Sequence, residues 1–166
     1  MNIYIIDTSS LIEMKERYPK NNFPTLWNKV ARLIQDQRLI THIEVKKEIE
    51  KGDDELKEWI KKENIKRMFI KPDKNQIEKV QEILKKYPFL AKADKPEEPN
   101  ADPWLIALAI VKKEKEIRLV IGKRNNYIIV TEESSRKIHR IPRVCKEIGI
   151  ECIKFIELVK REGWVF

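Results

Sequence analysis

Four acidic residues stand where a strand should end or a helix should present a side chain inward: Asp7 in IYIIDTSS, Glu48 in EVKKEI, Asp102 in ADPWLIALA and Glu133 in IIVTEE. Carboxylates scattered in this way supply the oxygen donors that hard divalent cations take, so Mg²⁺ or Mn²⁺ is the cofactor they suggest. The chain carries 35 Lys and Arg against 27 Asp and Glu, a formal net charge of +8, which favours a polyanionic partner. A cation held by acids in a basic protein can in turn hold a phosphate, and the chemistry expected is metal-dependent hydrolysis of a nucleic acid.

Other chemistries find less support. Covalent aspartyl-phosphate catalysis commonly needs Asp-x-Asp, and Ser9 occupies the second position after Asp7. DTSSLIE has no glycine, so it is not a phosphate-cradling loop. His42 and His139 are the only histidines, with no Ser or Cys context that would make a nucleophilic triad. Cys145 and Cys152 lack the paired spacing of a zinc site or a disulfide framework and read as thiols in a reducing cytoplasm. The apolar start is interrupted by Asp7 before signal-peptide or membrane-spanning length, so a cytoplasmic protein with no membrane partner is expected.

The positioning elements follow from periodicity. At 166 residues the chain fits a single domain, 1–166. Ile3 to Ile6 is a β-branched apolar run expected to be a buried parallel strand with Asp7 at its carboxyl end. Leu26, Trp27, Val30, Leu33 and Ile34 recur at helical spacing, and Leu39-Ile40 forms a second strand. Thr41 and Glu44 fit a capping box for a helix through Ile49 to Gly52. Asp53 or Asp54 is expected to cap a helix with Leu56, Trp59 and Ile60, and Met68 to Ile70 makes a third strand. Residues 73–87 predict a helix with Ile77, Val80, Ile83 and Leu84 on one face, and the proline-rich 88–99 a loop bordering the site. An apolar helix starts at Asp102, and RLVIG and NYIIVT read as strands, with an inserted hairpin arm as the alternative for the first. Pro142 opens a short helix ended by Gly149, followed by a strand at 151–153 and a terminal helix. Alternation of this kind implies right-handed crossovers and an α/β fold whose mainly parallel sheet is covered on both faces.

Each acid also has a plainer role. Asp7 suits a helix N-cap, and Asp102 suits an N-cap followed by Pro103 at the first helical position. At about 100° per residue Glu48 lies at the edge of the Val45 and Ile49 stripe while Glu50 points away, and the capping box occupies Glu44. A solvated flank is the alternative for Glu48, and Glu132 is as available as Glu133. Lys123, Arg124, Arg136, Lys137, Arg140 and Arg143 are candidates for contact with a nucleic-acid backbone, or else belong to solvated faces.

The segments YIIDTSSLIE, FPTLW, VKKEI, ADPWLIALA, VTEE and KIHRIPRVCKEIGI, spanning residues 3 to about 150, together resemble the PIN-domain ribonucleases, which include the toxins of VapBC toxin–antitoxin pairs. The chain looks most like a PIN-like branch catalogued as a domain of unknown function. The resemblance implies a three-layer α/β/α sandwich, and it matches the family's acids to Asp7, Glu48 and Asp102. The family's fourth acid follows Thr with one residue between, which matches Glu133 after Thr131, although many members carry Asp there. It further implies a Mg²⁺- or Mn²⁺-dependent endoribonuclease with these four acids as metal ligands, and Ser9 and Thr131 bonding the acids or a water. RNA is the implied substrate, with an antitoxin protein and a second copy of the chain as implied partners. The competing readings are a non-catalytic RNA- or partner-binding module of the same fold and a metal-dependent phosphatase acting on small molecules.

Overall fold

A computed structural model describes residues 1–52, 54–118, 122, 124–137 and 140–166. Five strands, β1 (Asn2–Ile6), β2 (Leu39–His42), β3 (Phe69–Ile70), β4 (Asn126–Val130) and β5 (Glu151–Ile153), form one sheet in the order β3-β2-β1-β4-β5. Every pairing is parallel. Ile3 to Ile6 are buried, as a parallel strand covered on both faces requires. The expected mainly parallel sheet is thus wholly parallel among the described residues.

The helices are α1 (Thr8–Arg17), α2 (Pro24–Gln35), α3 (Ile43–Gly52), α4 (Asp54–Ile60), α5 (Glu63–Lys66), α6 (Lys74–Lys86), α7 (Asp102–Arg118), α8 (Ile141–Ile148) and α9 (Phe155–Arg161), with a 3-10 turn at Pro88–Ala91. The chain steps outward from β1 to β2 and β3, then returns to place β4 on the other side of β1. With right-handed crossovers, this reversal puts the intervening helices on opposite faces. Packing agrees: α1 meets α3, α4 and α9, whereas α7 lies on β1, β2 and β4 and against α6 and α8. The result is helices over both faces of the sheet and a topological switch point between the carboxyl ends of β1 and β4, where open α/β sheets gather ligands.

Several local expectations are corrected. Thr41 and Glu44 form no capping box, because β2 runs on through His42 and consumes Thr41 as a strand residue. The Thr41 hydroxyl instead donates to the Ile6 carbonyl at 2.5 Å, and the Glu44 N–H donates to His42 Nδ1 at 3.2 Å. In α6 the buried face is Gln76, Val80 and Ile83, and Ile77 is exposed, a phase shift set by packing on α7. Asp102 is the first residue inside α7 and Ala101 caps it, its carbonyl accepting from Leu105 N–H at 2.9 Å. Asp53, Lys123, His139 and most of the expected RLVIG strand lie outside the described residues. Cys145 and Cys152 are free thiols, and no helix of the described residues is long and apolar enough to cross a membrane.

At the amino-terminal side of the sheet, Arg38 holds Glu162 with two hydrogen bonds of 2.9 and 2.5 Å, and the buried Tyr4 hydroxyl donates to the same carboxylate at 2.8 Å. Burial, and next the Glu162 carboxylate, push the Tyr4 phenol up to about 12. This cluster ties the end of α9 to β1 and to the entry of β2. Removing its only acid strands a guanidinium and a buried hydroxyl, so Glu162→Ala should lower unfolding free energy by about 2–3 kcal/mol. Urea unfolding checks it, and a loss below about 0.5 kcal/mol would mean that solvent satisfies both groups.

Candidate metal and phosphate site

Register builds the floor of the site. Ile6 lies opposite Val130, so Asp7 and Thr131 leave the sheet side by side. The Asp7 N–H still bonds the Val130 carbonyl at 2.9 Å, while its carboxylate caps α1, accepting from Thr8 N–H at 2.7 Å and Ser9 Oγ at 2.5 Å. Thr131 Oγ1 donates to the same Asp7 oxygen as Ser9, at 2.9 Å. The N-cap role and a place in the pocket therefore coexist at Asp7, and both hydroxyls orient the acid.

Glu48 comes from α3, where Val45 and Ile49 face the core and Glu50 is exposed, as helical geometry anticipates. One of its oxygens accepts from Ala101 N–H at 2.9 Å and the other from the Thr8 hydroxyl. Through these bonds Glu48 links the starts of α1 and α7. Asp102 enters from the first turn of α7, and among the described residues its carboxylate accepts no hydrogen bond from a protein donor.

Glu132 and Glu133 separate. Glu132 turns away to accept from Phe155 N–H at 2.8 Å and Ser10 Oγ at 3.3 Å, anchoring α9. Glu133 faces the pocket, with one oxygen on Arg140 at 2.9 Å and the other on Ile141 N–H at 2.9 Å. It thus holds the start of α8.

Asp7, Glu48, Asp102 and Glu133 line one cavity of about 450 Å³ together with Ser9, Thr8, Lys51, Lys92, Arg140 and a fifth acid, Glu98. A larger cavity, about 720 Å³, has Asp36 as its sole acid among the described residues and lies against the starts of the strands. Of the other cations nominated from sequence, Arg136 and Lys137 are exposed in the turn after β4, and Arg143 pairs with Glu147 at 3.6 Å. Arg124 precedes β4 and so lies at the opposite end of the sheet, away from the four acids. Lys51 and Lys92 also line the acid cavity and are not among the cations nominated from sequence. Lys51 follows Glu48 by three residues and shares its side of α3, a readable signal, whereas Lys92 sits in left-handed backbone (φ 47°) within an irregular loop and leaves none.

The electrostatics follow from bringing acids together away from water. Burial raises Asp7, opposed by the Ser9 and Thr131 hydrogen bonds and reinforced by Glu133. Burial raises Glu48 as well, with Thr8 and Ala101 opposing. Asp102, without donors, is pushed up to about 7, first by burial and then by the negative charge of Asp7 and Glu133, with Lys92 offsetting part. Oxygen donors suit a hard cation, and among the described residues neither His nor Cys lines the cavity. Among the described residues, no group of three or more His, Cys, Asp or Glu side chains is already drawn together tightly enough to hold a metal.

The family model described as Domain of unknown function (DUF4411) matches residues 4–166. The chain belongs to this family. No curated protein and no solved structure matches the sequence. The DUF4411 match makes no PIN assignment, although the parallel five-stranded sheet is compatible with a PIN-like fold.

The raised Asp102 gives a signed pH dependence. The folded state holds this proton up to about pH 7 and the unfolded state only to about 4, so without a divalent cation Asp102 stabilises the fold at low pH and loses that contribution as pH rises through 7. His42, lowered to about 4 chiefly by burial, acts oppositely below its ordinary value of 6.5. Comparison with Asp102→Asn removes the histidine contribution. In EDTA, the Tm of wild type relative to Asp102→Asn should fall between pH 5 and pH 8, and parallel Tm curves would refute the shift.

Proposed function

We propose that this DUF4411 protein is a PIN-like, Mg²⁺- or Mn²⁺-dependent endoribonuclease. The observation that carries the reading is that one cavity at the switch point is lined by Asp7, Glu48, Asp102 and Glu133, with Lys51, Lys92 and Arg140 beside them. Asp7, Glu48 and Asp102, which hold protons above their usual range, lower their free energy by sharing a divalent cation. RNA rather than DNA is taken from the PIN resemblance, as are an antitoxin protein and a second copy of the chain as partners.

In this reading Asp7 and Asp102 are the primary ligands, with Glu48 and Glu133 completing the set or orienting water. A divalent cation there supplies Lewis acidity toward the phosphodiester and lowers the pKa of water. Ser9 and Thr131 keep Asp7 aimed by donating to one of its oxygens. Thr8 and the Ala101 N–H fix Glu48. Lys51 and Lys92 supply positive charge for the phosphate, and Lys92 also favours the ionised forms of Glu48 and Asp102. Attack by water with departure of the 3′ oxygen leaves a 5′ phosphate and a 3′ hydroxyl.

A second reading, a non-catalytic RNA- or partner-binding module, is favoured by the protein partners already on both oxygens of Glu133. Labelled RNA incubated with Mn²⁺ and wild type, Asp7→Asn or Asp102→Asn separates the two. Cleavage by wild type should fall about 10²-fold or more in each variant, the scale on which loss of one electrostatic stabiliser acts. Equal cleavage by all three points to contamination and sinks the nuclease. RNA bound but intact supports the binding module, and hydrolysis of free nucleotides with RNA intact supports a phosphatase.

A further inference from the structure

Arg140 is the one nominated cation among the described residues that lines the acid cavity, and it is committed to Glu133. It occupies the N-cap position of α8 in extended backbone, so its side chain is free of the helix ladder. Glu133 does not depend on it alone, because its second oxygen takes the Ile141 N–H. The guanidinium side chain is 45% exposed and the Glu133 side chain 15%, so the pair lies at the boundary between the cavity and solvent. Such a pair is weak enough to exchange: an exposed ion pair contributes about 0.2–1 kcal/mol. A guanidinium is also the side chain best shaped for phosphate, presenting a planar fork of donors.

We propose that Arg140 serves the site in two alternating ways: it neutralises Glu133 in the free protein, and once Glu133 turns to a divalent cation, its guanidinium holds a phosphate of the substrate chain. The inference rests on the metal-dependent reading above and adds an order to it, cation first and phosphate second. Charge explains the order. While Arg140 is paired with Glu133, its charge is spent inside the cavity. When Glu133 is shared with a cation, the guanidinium is released beside the added positive charge and is repelled from it, toward an incoming anion. Lys51 and Lys92 reach the cavity from α3 and the 88–99 loop, whereas Arg140 reaches it from the start of α8, so the released cation meets the substrate from a different element.

Two affinities with opposite signs test this. Mn²⁺ binding is measured by calorimetry on protein without nucleic acid, and binding of a labelled single-stranded oligoribonucleotide by anisotropy with Ca²⁺ present. Arg140→Ala should bind Mn²⁺ about two- to fivefold more tightly, because Glu133 no longer has a competing cation. The same variant should bind the oligonucleotide about tenfold or more weakly and lose about one unit of its salt slope. Arg140→Lys should restore part of the oligonucleotide affinity. Glu133→Gln keeps an acceptor for Ile141 N–H; it should weaken Mn²⁺ binding and, without divalent cation, bind the oligonucleotide at least as well as wild type.

An Arg140→Ala protein with native Tm and unchanged or weaker Mn²⁺ binding overturns the alternation. So does unchanged oligonucleotide affinity. If those variants behave this way while wild type binds Mn²⁺ and cleaves RNA, the nuclease reading stands and only the role of Arg140 falls. If wild type itself binds no Mn²⁺, both fall together.

Discussion

The parallel pairing of β1 with β4 is the constraint on which the rest depends. It joins residues more than a hundred positions apart in a register that sets Ile6 against Val130, and so sets Asp7 beside Thr131. The reversal of strand order at this pair sends α7 to one face and α1 to the other, leaving a crevice into which both helices begin. Each of the four acids then arrives by the rule of its own element: Asp7 and Glu133 just past strand ends, Asp102 in the first turn of a helix, and Glu48 at the margin of a helical core stripe.

Burial makes that arrangement costly, and the surrounding bonds show where the cost is met. Asp7 and Glu48 have donors on both oxygens, among them backbone amides that open α1 and α7, so the helix starts are stabilised by the same carboxylates that line the cavity. Asp102 receives no such compensation and keeps its proton to about pH 7. A proton there and a cation shared among the acids are alternative answers to one electrostatic problem. The fold therefore couples the ionisation of the site to whatever positive charge enters it.

Much of this was legible in the sequence, for reasons that can be named. Strand ends and helix starts are marked by abrupt changes in hydrophobic pattern, and those changes mark Asp7, Asp102 and the Glu132-Glu133 pair, within which the PIN resemblance and not the pattern selects Glu133. The phase of α3 sets Glu48 at the edge of the core stripe as helical geometry expects, whereas the capping box that would occupy Glu44 does not form, because the strand continues through Thr41 and His42 and its pairing outweighs the local cap signal. The phase of α6 departs from its apolar periodicity for a similar reason: Gln76 is buried and Ile77 exposed once α7 fixes which face is covered. Arg124 and Arg140 are both candidates for backbone contact from sequence, yet the strand between them carries them to opposite ends of the sheet. Lys92 had no signal at all, since an irregular loop has no period from which to read direction.

The central claim is that four carboxylates from four separate segments serve one cation. A crystal of the protein soaked in Mn²⁺ and measured near the manganese absorption edge tests it most directly. The account predicts one anomalous peak bounded by Asp7, Glu48, Asp102 and Glu133, with oxygens of at least Asp7 and Asp102 at about 2.0–2.3 Å, the range of hard-cation ligands. Acids that remain apart with no peak among them, or a peak elsewhere on the protein, would contradict it.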